Sequence, residues 1–220
     1  HPLENIYRNE TVSAAEALIS EFRRLGSFLT QLDDQLVLEA ENTVDAMNQQ
    51  IQQIAELNGQ IQNVEINGGQ ANNLRDYRDQ LIKDLAESVS VEVLPRDYGV
   101  MDVSVAGLSV VTGAIPVKLA ASRGDGNTLV VYPAGSEGAG LQGTGGRMGG
   151  LLTLKNESLA ALQEEMDSLA LGIISQINQY HVQGVGMDGS FTELSGWVMG
   201  CDDLSQAQTT MTNAISYTRV

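Results

Sequence analysis

Four kinds of residue are scarce in this chain of 220 residues, and each scarcity excludes a class of protein. A single cysteine, Cys201, leaves no internal disulfide and no multi-cysteine zinc site. Two histidines, His1 and His181, are too few for a histidine-based metal centre. Aromatic residues make up only 5%, so any core rests on Leu, Ile, Val, Ala and Met, which suits thin helical layers better than a wide interior. Twelve Lys and Arg face 28 Asp and Glu, a net charge of -16, which opposes binding to nucleic acid or to an anionic membrane. No stretch approaches the roughly 18 to 20 continuous apolar residues of a membrane span. Nor does a charged start followed by an apolar core mark a signal peptide. The first residue is His and the last stretch, AISYTRV, reads as a strand begun and abandoned, so the chain is expected to be a fragment of a longer protein.

What is present is helical periodicity. Apolar residues fall at Leu18, Phe22, Leu25, Leu29, Leu32 and Leu36, then after Ala40 at Val44, Met47, Ile51, Ile54, Ile61 and Val64. Steps of three and four predict a long amphipathic, coiled-coil-like helix, interrupted only by Gly26 and Gly59 and about 70 Å long if straight. Asn67, Gly68 and Gly69 stop it. Asn72 or Asn73 is the expected cap of the next helix, whose buried side is Leu74, Tyr77, Leu81, Ile82 and Leu85. Arg75, Asp76, Arg78, Asp79, Lys83 and Asp84 then lie on a solvated or subunit-facing side, with Asp79 and Lys83 in the favourable order for a pair four residues apart. On that reading, truncating Arg78 costs less than truncating Leu81 or Leu85.

From Val89 the period becomes two. SVEVL, VMDVSVAG, LSVVTG, VKLAAS and TLVVY are short, valine-rich and separated by turn residues, as in an antiparallel meander or a pair of hairpins. The loop GSEGAGLQGTGGRMGG follows. Gly138, Gly140 and Gly143 satisfy G-x-G-x-x-G, but no parallel strand and helix series surrounds them, so the loop reads as a flexible return to the helical layer. A last long helix starts near Met148, carries Leu152, Leu159, Leu162, Met166, Leu169, Ile173, Ile177 and Tyr180, and ends at Gly184, Gly186 and Gly189.

The expected fold class is therefore α+β: an elongated, discontinuous helical bundle with a small antiparallel β subdomain inserted between its long helices. The helical rod takes residues 1–89 and 147–185, the β region 90–146, and a variable outer domain begins at 190–220. No catalytic constellation emerges. His181 lacks a nucleophilic partner, Cys201 lacks a basic neighbourhood, and MDGSFTE lacks the spacing of a calcium loop. The pairs Asp33 with Asp34, Glu164 with Glu165, and Asp202 with Asp203 point about 100 degrees apart on a helix and read as solvated charge. No cofactor or metal is expected, and a hydrolase using the carboxylates is the least favoured reading.

Two blocks resemble a known family. NNLRDYRDQLIKDLAESVSVEV, with Leu74, Arg75, Arg78, Asp79, Gln80, Leu81 and Leu85, is similar to the helix-to-strand signature of flagellar hook-associated protein 1. MGGLLTLKNESLAALQEEMDSLALGIISQINQYHVQGVGMDG is similar to that family's second signature, with Gly149, Gly150, Leu151, Leu152, Asn178, His181 and Gly184 in place. Lys155 stands where an Arg is common, a change read as one of surface charge. The resemblance covers roughly residues 10–194 and implies a structural, non-enzymatic subunit exported by the flagellar type III apparatus. Such a subunit sits at the hook-filament junction, outside the cell. Its implied partners are the hook protein, the second junction protein, other copies of itself in a tube, and an export chaperone acting on terminal regions absent here. Another flagellar axial protein, flagellin included, and a secreted helical adhesin are the rival readings.

Overall fold

The structure, a computed structural model, describes residues 5–136, 140–141, 143–183, 185–186, 189–190, 193–197 and 214–218, with the backbone alone at residue 5 and from residue 180 onward. The chain forms two compact units, residues 1–160 and 161–220.

The first unit is organised by helix α1, Asn5–Ile66, whose 62 residues run about 93 Å at 1.5 Å each. Neither Gly26 nor Gly59 breaks it. Intact helical hydrogen bonds on both sides outweigh the modest cost of a glycine in a helix. It stops where the chain needs a left-handed residue: Gly68 has φ +79, and the amides of Gly68 and Gly69 return to the carbonyls of Glu65 and Val64, both at 3.0 Å. Helix α2, Asn72–Ser88, follows with Ala71 at its N-cap and no side-chain cap, so Asn72 and Asn73 lie inside the helix instead of capping it.

Strands β1 (Val91–Pro95), β2 (Met101–Val105), β3 (Leu108–Thr112) and β4 (Ile115–Pro116) form one antiparallel sheet in that order, and β5 (Leu119–Arg123) pairs with β6 (Leu129–Pro133) as a separate hairpin. A bulge between Val103 and Ser104 shifts the β2–β3 register, so that Val110 and Val111, adjacent in sequence, are both buried. After the glycine-rich loop come α3 (Gly146–Thr153), a π turn (Leu154–Leu159) and α4 (Ala160–Gln183).

The core of this unit joins α1 to the inner face of α2, to the sheet, and to Met148 of α3. On α1 most buried positions form one seam, Leu29, Asp33, Leu36, Ala40, Val44, Met47, Ile51, Ile54, Asn58 and Ile61, with Val37, Thr43, Ala55 and Leu57 buried beside it. Every step along it is three or four residues, as knobs-into-holes packing requires. Two of its members are polar, and both organise the joints described below. N-terminal to the seam, Leu18 and Leu25 of the predicted stripe are exposed and Phe22 is half-buried. Tyr77, expected inside α2, is also exposed, its hydroxyl 3.4 Å from Gln53 Oε1. Its inward place is taken by Arg78.

In the second unit, α4 leaves Leu162, Leu169 and Ile177 exposed. Beyond it β7 (Val185–Gly186) pairs with β8 (Gly189–Ser190), and β9 (Glu193–Trp197) with β10 (Ala214–Thr218), both antiparallel. No helix among the described residues is long and apolar enough to cross a membrane.

Candidate functional site

Buried and half-buried polar residues form three joints in the first unit. The first lies under the α2–β1 corner. Asn58, on the α1 seam, is fully buried. Its Nδ2 donates to the carbonyls of Met101 and Gly113, each at 2.7 Å, and its Oδ1 accepts from the Met101 amide at 3.2 Å. One side chain thereby ties α1 to the start of β2 and to the β3–β4 turn. Arg78 adds a second layer. Its Nη1 donates to the Gly99 carbonyl at 2.6 Å and to Asn58 Oδ1 at 3.3 Å, while Nε and Nη2 hold Asp79 Oδ1 at 3.2 and 3.1 Å. With 1% of its surface exposed, Arg78 is among the largest fully buried side chains. The expectation that it lies on a solvated side is overturned. A guanidinium can be buried when its fork meets several acceptors at once, and here a loop carbonyl, an amide oxygen and a carboxylate supply them.

Arg75 extends the same joint outward. It grips Glu65 at the end of α1 through two parallel bonds, Nε to Oε1 at 2.7 Å and Nη2 to Oε2 at 2.6 Å. Gly99, at φ +67, runs close beneath this pair, and a Cβ there would sit 2.5 Å from Arg75 Nη2. Asp79 is engaged by Arg78, and Asp84 accepts from Gln80 Nε2 at 2.7 Å. Leu81 and Leu85 are buried and Leu74 half-buried beneath.

The second joint is ionic. Asp33, the other polar member of the seam, is buried beside Lys155, whose Nζ lies 2.7 Å from Asp33 Oδ1 and donates to the Asn127 carbonyl at 2.6 Å. Arg123 binds both Asp33 and Asp34 and donates to Asn127 Oδ1 at 2.6 Å. Burial pushes the Asp33 carboxyl up, but hydrogen bonds from Lys155 and Arg123, with their positive charge, outweigh it and hold the group below its usual range. Two expectations are corrected here. Asp33 is not solvated charge, and Lys155 is a buried partner, not a change of surface charge.

The third joint consists of two amides. Asn48 of α1 donates to the Leu119 carbonyl at 2.9 Å and accepts its amide at 2.8 Å. Asn156 of the π turn does the same for Leu129, at 2.8 and 2.7 Å. The Lys118 carbonyl accepts from the Ala134 amide and the Thr128 carbonyl from the Gly124 amide across the β5–β6 hairpin, so the backbone groups of the next residues, Leu119 and Leu129, face outward to receive these clamps.

The glycine-rich loop is fixed where it enters α3. Gly146, at φ +55, passes so close to the α2–β1 junction that a Cβ would lie 2.7 Å from the Ser88 carbonyl carbon and the Val89 nitrogen. At Gly145, φ +57, a Cβ would strike Ser90 Oγ, and the Ser90 amide donates to the Thr144 carbonyl at 2.6 Å. The C-terminal part of the loop is thus a close backbone crossing, not a flexible return. Gly138 lies outside the described residues. Among those described, no group of three or more His, Cys, Asp or Glu is placed to hold a metal ion.

Comparison with known proteins supplies the relationship. Residues 1–194 match the family described as the flagellar hook-associated protein FlgK helical domain. The chain belongs to this family. Flagellar hook-associated protein 1 of Escherichia coli K12 is 32% identical over 197 residues, 84% of this chain and 36% of the relative. Its counterpart from Salmonella typhimurium LT2 is 33% identical over 196 residues, 83% of this chain and 35% of the relative. The structure of the flagellar hook junction protein FlgK from Burkholderia pseudomallei superposes with a TM-score of 0.74 at 28% identity, covering 88% of this chain and 37% of that one. The chain therefore spans little more than a third of the FlgK relatives it matches.

Just before the second block begins at Met148, Gly145 and Gly146 cross directly over Ser88, Val89 and Ser90 of the first. Within the second block, Leu151 and Leu152 pack half-buried on the core. A Cβ on Gly149 would meet only ordinary contacts near Thr144, and one on Gly150 would meet none. Asn178 is half-buried on α4, and His181 lies in the last turn of that helix. The His181 side chain lies outside the described residues, as do Gly184, Cys201, Asp202 and Asp203. Sequence reasoning missed Asn48, Asn58, Gly145, Gly146 and Asn156. A signal for Asn58 was present, since the apolar seam jumps seven residues from Ile54 to Ile61 and Asn58 occupies the missing position.

Proposed function

We propose that this chain is the helical part of a hook-filament junction subunit of the bacterial flagellum. The subunit is a structural, non-enzymatic protein exported by the flagellar type III apparatus and built into the tube outside the cell. It assembles on the distal end of the hook and supports addition of the second junction protein and then flagellin. Residues 1–89 with 147–185 serve as the rod, 90–146 as a β subdomain, and residues from 190 as the start of the outer domain. Its partners are the hook protein, the second junction protein, further copies of itself, and an export chaperone acting through terminal regions. The observation that carries the reading is the family match over residues 1–194. The buried joints favour a structural part too, since their side chains hold elements of the first unit together.

The test is a segment exchange. The matching stretch of the Escherichia coli relative is replaced by residues 1–194 of this chain in a strain lacking its own copy. Swimming and attached filaments are expected to return. A chimera that is exported, yet leaves flagellin shed into the medium and hooks bare, overturns the proposal.

A further inference from the structure

The helix that begins at Gly146 changes winding at Leu154–Leu159, where six residues form a π turn. Such turns are rare, occur mostly as single interruptions of α-helices, and collect at functional sites. Nothing in the residues LKNESL demands one, since the stretch holds neither glycine nor proline. The flanks are ready for ordinary winding: Thr153 at φ -63, ψ -45 and Ala160 at φ -61, ψ -46 are both α-helical. What is particular to the turn is its anchoring. Lys155 reaches Asp33 on α1 and the Asn127 carbonyl, and Asn156, the next residue, grips both backbone groups of Leu129 on β6. Adjacent residues in an α-helix splay by about 100°, whereas the wider π turn brings them closer together in angle, so both can face inward at once.

We propose that this turn is a two-state register element built into the fold. It is wound as π while Lys155 and Asn156 hold their partners, and as α when they let go. The change exchanges i→i−5 for i→i−4 hydrogen bonds and advances the C-terminal end of the turn by one residue of helical phase, about 100°. Buried ionic groups are best attested in this kind of register-setting role. The inference does not depend on the flagellar reading, because it concerns only which partners hold the turn.

Through-hydrogen-bond couplings measured by nuclear magnetic resonance on the deuterated full chain test it. In the unmodified protein the Leu159 amide should couple to the Leu154 carbonyl. In the Lys155→Met, Asn156→Ala double variant it should couple to the backbone carbonyl at position 155 instead. A folded double variant that keeps the i→i−5 coupling overturns the proposal. If that variant loses its near-ultraviolet circular dichroism, Asn156→Ala alone decides. Appearance of the i→i−4 coupling beside the i→i−5 one supports two states, and the i→i−5 coupling alone overturns them.

Discussion

Arg78 Nη1 lies 3.3 Å from Asn58 Oδ1 in the interior, so the charge of one helix rests on an amide of another. The same guanidinium nitrogen also holds the Gly99 carbonyl at 2.6 Å. Replacing Arg78 by Ala strands the Gly99 carbonyl, takes one of its two donors from Asn58 Oδ1, and leaves a void the size of the side chain. A loss of roughly 2 to 4 kcal/mol is expected, comparable with Leu85→Ala. Urea denaturation of the two variants checks this, and a change under about 0.5 kcal/mol for Arg78→Ala contradicts the joint.

Asn58→Leu would complete the apolar seam of α1 and, judged from that seam alone, should stabilise. The structure predicts the opposite. Met101 and Gly113 would lose their hydrogen bonds, and Arg78 would face a hydrocarbon, so a loss of roughly 2 to 4 kcal/mol is expected. A thermal melt that rises in the variant refutes the prediction.

Asp33 makes stability depend on acidity with a definite sign. Its folded-state pKa is held below the unfolded value, so its contribution is present in full above the unfolded carboxylate pKa, about 3.9, and is lost as pH falls through the folded one. Over that acidic window the unmodified chain should lose stability more steeply than Asp33→Asn, which is destabilised already at neutral pH. Denaturant titrations from pH 7 downward measure both slopes, and parallel slopes would exclude a role for Asp33.

The two asparagine clamps predict local effects. Asn48→Ala should expose the Leu119 amide and Asn156→Ala the Leu129 amide, each exchanging hydrogen about tenfold faster or more. The effect of each variant should be strongest at its own strand edge. Native-state hydrogen exchange resolved by residue would show it, and uniform acceleration across the unit would contradict the assignment.

Gly146→Ala places a methyl 2.7 Å from backbone atoms of Ser88 and Val89, at a residue with φ +55. Backbone cannot yield as a flexible side chain can, so a loss above about 1 kcal/mol is expected. Gly150→Ala, with open space at its Cβ, should be neutral or slightly stabilising by helix propensity. Chemical denaturation of the pair separates the two glycines, and equal losses would contradict the crossing.

Period-two valines and period-3.6 leucines made the order of elements readable, because each pattern reports the face its own element buries. Strands Met101–Val105 and Leu108–Thr112 fall within the segments that alternation marks, Val91–Pro95, Leu119–Arg123 and Leu129–Pro133 overrun theirs by one residue, and Ile115–Pro116 lies in none of them. The polar joints were harder to read because their partners lie far along the chain: Asp33 meets Lys155, and Asn48 meets Leu119. A search for apolar residues at three- and four-residue steps passes over Asp33 and Asn58, although both occupy steps of that same seam. Arg78 was misplaced for the same reason, since a charged residue among charged neighbours reads as surface until an inward-facing amide is known to await it. The reach of α1 toward Asn5 was invisible because its first turns bury nothing in this chain.

The clamps at Leu119 and Leu129 have a consequence for crowding. A two-stranded ribbon ordinarily offers two open borders on which a neighbouring chain could add a strand. Here each asparagine acts as a one-residue surrogate strand at its border, and on the β6 side the Leu141 amide also takes the Val131 carbonyl at 2.7 Å. A second chain approaching either border would therefore find these backbone positions already taken.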